Sequence, residues 1–151
     1  MMMTRTRMLL AVLTLSTVGL AACERPDGPR AVAGLCPDFK VAASMPADAA
    51  TPVDNCVKRW AYTLAGTRDD AGTVAEAVVA ACGSHLTVWN QASLGAETAG
   101  AEAISITTGQ PTNPLTEHYG FAQSHALLYV MQARAGRCSA PAVKDGVPVG
   151  V

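Results

Sequence analysis

The sequence predicts a small all-α bundle: an antiparallel helical hairpin with a third long helix packed on it, stapled by two disulfides and preceded by a disordered tether. Three observations carry this prediction. Apolar residues recur at helical spacing in three separate stretches. Of five cysteines, setting aside Cys23 in the N-terminal segment leaves Cys36, Cys56, Cys82 and Cys138, an even set. Aromatic residues make up only 5% of a chain that is rich in alanine. Helices of that composition pack closely but bury little area per residue, and cross-links compensate by restricting the unfolded chain. The expected divisions are 1–22, 23–51 for the tether, 52–138 for the helical domain and 139–151 for a flexible tail.

Residues 24–52 hold Pro26, Gly28, Pro29, Gly34, Pro37, Pro46 and Pro52, and no helical period survives that spacing. This stretch reads as a tether that becomes ordered near Cys36 and holds the domain off a surface. Thr51-Pro52-Val53-Asp54 then starts a helix: Thr51 as N-cap, Pro52 at the first helical position, and Asp54 at the positive end of the dipole. Val53, Val57, Trp60 and Leu64 make its apolar face, with Tyr62 off that stripe as a candidate exposed contact. Gly66 is the expected stop.

Asp69-Asp70 opens the second helix, and Thr73 with Glu76 offers a slightly later capping-box start. Val74, Ala77, Val78, Ala81, His85, Val88 and Trp89 continue one face. Gly83 interrupts it at a cost of about 1 kcal/mol relative to alanine. The helix therefore either runs to about Leu94 or breaks in two. Cys56 lies thirteen residues before Asp69 and Cys82 thirteen after it. A hairpin turning near Asp69 brings them level, because each residue advances a helix equally. Cys56–Cys82 is the preferred bridge among three connectivities, and it leaves Cys36–Cys138.

Residues 95–111 are ambiguous: small residues permit a helix, while Ile104 and Ile106 alternate as in a short strand. Asn113-Pro114 caps and starts the third helix. Its expected buried face is Leu115, Tyr119, Ala122, Ala126, Tyr129 or Val130, and Ala133. Arg134 and Arg137 suit its C-terminal end, where Gly136 and Cys138 close it. The tail holds Pro141, Gly146, Pro148 and Gly150 and is expected to be disordered.

The N-terminus is of a different kind. MMMTRTR carries two arginines and no acid, and residues 8–20 are a 13-residue apolar run interrupted only by Thr and Ser. A charged region followed by an apolar region of this length is a signal-peptide pattern. The run falls short of the roughly 20 residues a bilayer span needs. Leu20-Ala21-Ala22-Cys23 closes it. This segment resembles the lipobox of bacterial lipoproteins, and the resemblance covers residues 1–23. It implies that Cys23 is diacylglycerated, becomes the first residue after cleavage, and is then usually N-acylated, which gives a stable membrane anchor. The alternative is an ordinary secretory signal with Cys23 as a fifth cysteine. Glu24 follows the lipidation site where Asp would mark inner-membrane retention, so a periplasm-facing position on the outer membrane is favoured. The stretch CVKRWAYTLAGTRDDAGTVAEAVVAAC also resembles segments of small exported bacterial proteins, a likeness that implies no activity.

After cleavage, nine Lys/Arg stand against twelve Asp/Glu, so the formal net charge is about −3. The charges are interspersed, which argues against a nucleic-acid partner. No G-x-S-x-G elbow, C-x-x-C pair, H-E-x-x-H helix or glycine-rich phosphate loop occurs. No catalytic residue and no cofactor are therefore assigned. His118 and His125 are seven residues apart on one helix face, wider than the three- or four-residue spacing usual for two ligands on one helix. A metal site there would need His85 or Glu117 as well. Ser84-His85 and Ser124-His125 are neighbours in sequence, but adjacency is not a nucleophile–base geometry. Trp60 and Trp89 read as core packing, or as walls of an apolar-ligand cleft between helices. The leading expectation is a non-enzymatic, membrane-anchored module that binds a protein or envelope component. The alternatives are an apolar-ligand binder and a His-dependent metal protein or enzyme.

Overall fold

The computed structural model describes residues 30–39, 48–98, 104–105 and 108–151. The expected lipobox with Cys23, residues 24–29 and 40–47 of the expected tether and Ile106 lie outside the described residues. Four helices follow one another: α1 (Ala50–Leu64), α2 (Ala71–Ala81), α3 (Gly83–Thr98) and α4 (Pro114–Gly136). The chain ends in a two-stranded antiparallel sheet, β1 (Val143–Lys144) with β2 (Val147–Pro148). The mostly helical fold and both disulfides are as expected; the small sheet is not.

α1 starts at Ala50, two residues earlier than its proline suggests. Asp48, not Thr51, closes its N-terminus: the carboxylate accepts the Thr51 N–H at 2.7 Å and the Thr51 hydroxyl at 2.9 Å. The same device opens α2, where the Asp70 carboxylate takes the Thr73 N–H at 2.9 Å as well as its hydroxyl. α4 starts as expected, with Asn113 Oδ1 accepting the Leu115 N–H at 2.9 Å and Pro114 in the first turn.

The predicted hairpin forms, and Cys56–Cys82 ties α1 to the end of α2. The second apolar stretch breaks at Gly83, where α2 and α3 meet at 65°. That corner turns the expected face. Val74, Ala75, Val78, Val79, Cys82 and Leu86 are buried, whereas Ala77, Ala81 and Val88 are exposed. The core is the meeting of these side chains with Val53, Cys56, Val57 and Ala61 of α1 and Ala122, Ala126 and Val130 of α4. Valines and alanines at the crossing let the helix axes approach closely.

Two expectations about faces are overturned. Tyr62 is buried, and its hydroxyl donates to the Leu35 carbonyl at 2.8 Å. Phe39 meets the Tyr62 ring edge-on at 5.2 Å. The partner that covers Tyr62 is therefore the segment before the domain, which helical periodicity does not reveal. On α4, Leu115 and Tyr119 are exposed, and His118 replaces them on the inner face with Ala122, Ala126, Val130 and Ala133. α4 is apolar on more than one side, and packing against α2 and α3 selects the side that carries His118.

The order expected near Cys36 covers residues 30–39, which form a strap against the bundle. The Val32 N–H donates to the Ala135 carbonyl at 2.9 Å, and Cys36 is bonded to Cys138. Gly136 is required there: a Cβ would lie 2.6 Å from Cys138 Sγ. The expected flexible tail is a hairpin. Asp145 and Gly146 both have positive φ, 52° and 81°, which suits the two-residue turns that match strand twist. Pro148 is fully buried, and Arg59 of α1 donates to the Val149 carbonyl at 2.6 Å. The Asp-Gly pair between valines is a hairpin signal that proline and glycine content obscures.

Candidate functional site

On α4, His118, Phe121, His125 and Tyr129 follow at steps of three, four and four, so they share a face. α3 brings Trp89 to one end of this row and α1 brings Asp54 to the other. Trp89 stacks on His118 with ring centres 3.7 Å apart and planes 14° from parallel. It also meets Phe121 edge-on at 5.4 Å. Phe121 and His125 lie 3.9 Å apart, and His125 meets Tyr129 edge-on at 5.8 Å. The result is a continuous row of five rings across α3 and α4, with Asp54 of α1 at one end.

Two polar groups hold the row. Asp54 Oδ1 accepts from His125 Nδ1 at 2.7 Å and from the Tyr129 hydroxyl at 2.8 Å. Asp54 and His125 are each about one-third exposed, 31% and 33%. Lys58 Nζ lies 5.4 Å from the centre of the Tyr129 ring. Burial, then the hydrogen bond to Asp54 and its charge, push the Tyr129 phenol well above the usual tyrosine range. Tyr129 therefore stays a neutral donor to the carboxylate at all ordinary pH.

At the other end, Asn90 Oδ1 lies 2.7 Å from His118 Nδ1 and Ser93 Oγ lies 3.4 Å from Nε2. With the amide oxygen as acceptor, Nδ1 carries the proton and Nε2 accepts from the serine. Burial pulls His118 below the usual histidine range, opposed by the nearby Glu117 charge. The neutral imidazole is the form that stacks on Trp89.

Ser93, His118 and Asn90 are connected like a nucleophile, a base and an orienting group. The surroundings suit structure better than acyl transfer. Ser93 stands inside α3, where backbone amides are engaged along the helix and offer no pair of donors to an oxyanion. His118 is 8% exposed beneath the Trp89 ring. His125 has an oriented imidazole, but its sequence neighbour Ser124 donates to the Phe121 carbonyl at 3.0 Å instead.

His118 and His125 thus join one ring row, each with its own polar partner. His85 is half-buried on α3 and is not part of that row. Among the described residues no three His, Cys, Asp or Glu side chains converge as metal ligands would. A cavity of about 220 Å³ lies between the strap and the bundle, lined by Leu35, Cys36, Lys58, Tyr62 and Gln132. That is below the roughly 300–1,000 Å³ of ordinary small-molecule sites. Trp60 and Trp89 both pack, partly buried, against the core.

Sequence reasoning missed Asp54, Asn90 and Ser93 as partners. Asp54 is 71 residues from His125 and Asn90 is 28 from His118, so no local motif announces either pair. The spacing of the four α4 rings was the legible signal. Comparison with protein-family models, curated proteins and solved structures gives no match.

Proposed function

We propose that this chain is a lipid-anchored, non-enzymatic interaction module of the bacterial cell envelope. Cys23 attaches it to the membrane, with the outer membrane favoured, and the domain faces the periplasm. The ring row of α3 and α4, held by Asp54 of α1, is the surface that holds a protein or envelope component.

The observation that carries the reading is the double hydrogen bond at Asp54. One carboxylate oxygen holds both His125 and Tyr129. The polar groups thereby fix the position of partly exposed rings on rigid helices, and such pre-positioned aromatic side chains are the usual anchors of protein interfaces. Two disulfides suit an oxidising compartment such as the periplasm.

The test is photocross-linking from Lys58, beside the row, in the lipidated protein within its own envelope. One stoichiometric partner, lost on Asp54→Ala with the fold retained, is expected. Recovery of the protein alone, or turnover of a substrate that requires His125, refutes the reading. Cys23→Ala should release a folded domain from membranes; continued tight retention removes the anchor.

A further inference from the structure

The face of α4 that the bundle leaves uncovered is apolar. Leu127, Leu128 and Met131 lie within about 100° of one another round the helix and form its exposed apolar side toward the C-terminal end, while Leu115 and Tyr119 are exposed nearer its start on a different side. Their exposures run from 38% at Leu115 to 53% at Tyr119 and Met131. The ridge continues past the helix end through Val32, 52% exposed and tied to Ala135 of α4. Its centre is not the ring row: Leu127 lies about 200° round the helix from His125, with Leu128, three residues from His125 and seven from Phe121, at the border between the two.

The strap says what lies opposite this ridge. Had the tether run to residue 51, the domain would hang well clear of its anchor. Instead the chain is pinned to the C-terminal end of α4 from Val32 onward. Cys23 and Val32 are only nine positions apart. Fully extended this stretch reaches about 30 Å, and as a flexible chain about 17 Å. An acylated Cys23 therefore keeps the C-terminal end of α4 within about 30 Å of the bilayer surface.

Charge agrees with this placement. From Tyr119 to Gly136, α4 carries no Asp or Glu, and Arg137 and Arg30 stand exposed at this end. Cations beside an apolar helix face favour an anionic phospholipid surface. No single helix among the described residues is long and apolar enough to cross a membrane, so the contact is one of lying on the surface.

We infer that the outer ridge of α4, centred on Leu127, Leu128 and Met131, rests on the phospholipid bilayer to which Cys23 attaches the chain. The inference depends on the lipid-anchor reading above. Leu128 borders the ring row beside Phe121 and His125, and the Tyr129 and Asp54 end of the row stays clear of the lipid.

The experiment reconstitutes the full lipidated protein in vesicles of phosphatidylethanolamine and phosphatidylglycerol. Met131→p-benzoylphenylalanine and Leu128→p-benzoylphenylalanine are compared with Ala77→p-benzoylphenylalanine, an exposed position on α2. Lipid adducts several-fold above the Ala77 yield at both α4 positions are expected. Equal yields at all three positions, or adducts at Met131 to protein instead of lipid, overturn the contact. The mass of the N-terminal peptide is read in the same samples. A diacylated Cys23 with no excess of lipid adducts sinks the contact and leaves the anchor standing, while an unmodified Cys23 overturns both.

Discussion

Replacing Cys36 and Cys138 together by alanine should cost this domain about 4.5 kcal/mol while leaving its helices intact. The bridge spans 102 residues of sequence. With Cys56–Cys82 closed, which itself spans 26, the shortest path round the open chain is about 76 residues. The loop-entropy relation converts that length to about 4.5 kcal/mol at 25 °C. The native side of the balance changes little. Cys36 is exposed and Cys138 half-buried at the edge of the bundle, and the strap keeps its bonds from Val32 to Ala135 and from Tyr62 to Leu35. Against a typical total of about 5–15 kcal/mol the loss is large. The assay is urea unfolding followed by far-ultraviolet circular dichroism and tryptophan fluorescence. The midpoint should fall steeply, with the native helical signal unchanged in the absence of denaturant. Cys56→Ala with Cys82→Ala provides the contrast. Its loop term is smaller, about 3.5 kcal/mol, but both sulfurs are fully buried, so voids add to the cost. A loss under about 1.5 kcal/mol for the Cys36/Cys138 variant would falsify the argument that this staple acts mainly through the unfolded chain.

Three further predictions follow from individual contacts. His118 is held below its ordinary range by burial, so the unfolded chain binds its proton first; stability should be complete above about pH 6.5 and decline as pH falls through that value. His118→Phe keeps a ring on Trp89 and should remove this part of the slope in urea titrations at several pH values; an unchanged slope counts against the assignment. Arg59→Ala removes the bond to the Val149 carbonyl, and hydrogen exchange in residues 143–151 should accelerate while α1 to α4 stay protected. Gly150→Ala, whose Cβ would lie 2.8 Å from the Arg59 guanidinium carbon at a φ of +88°, should do the same, and unaltered exchange in both variants refutes the docked tail. Ala126→Leu, at a fully buried crossing of α4 with the hairpin, should destabilise by about 1–3 kcal/mol through overpacking; a neutral or stabilising result in urea melts would mean the crossing holds spare volume.

What was legible in advance was local in origin. Asp70 before Thr73 and Asn113 before Pro114 announce helix starts because the capping side chain lies within three residues of the amide it satisfies. At the first helix the same logic chose the wrong residue: Asp48 reaches forward to Thr51 and does the work assigned to Thr51 itself. The Asp145-Gly146 turn was equally local. It was overlooked because the prolines and glycines around it suggested disorder, and Pro148 needed α1 to pack against.

The sequence by itself determined the helices, the break at Gly83 as one of two outcomes, and the preferred Cys56–Cys82 pairing, because each follows from spacing along a short stretch of chain. It also put His118 and His125 on one side of α4, but not the Phe121 and Tyr129 rings that complete the row. Only the tertiary structure decided which side of α4 turns inward, because α4 is apolar on more than one side and periodicity offers several faces without ranking them. His118 goes in because Trp89, Asn90 and Ser93 arrive from α3 to stack on it and satisfy its nitrogens. Leu115 and Tyr119 are left outside as a consequence. In the same way, Tyr62, Asp54 and the strap acquire their roles from partners 27 to 102 residues away, contacts that exist only once the chain has closed on itself.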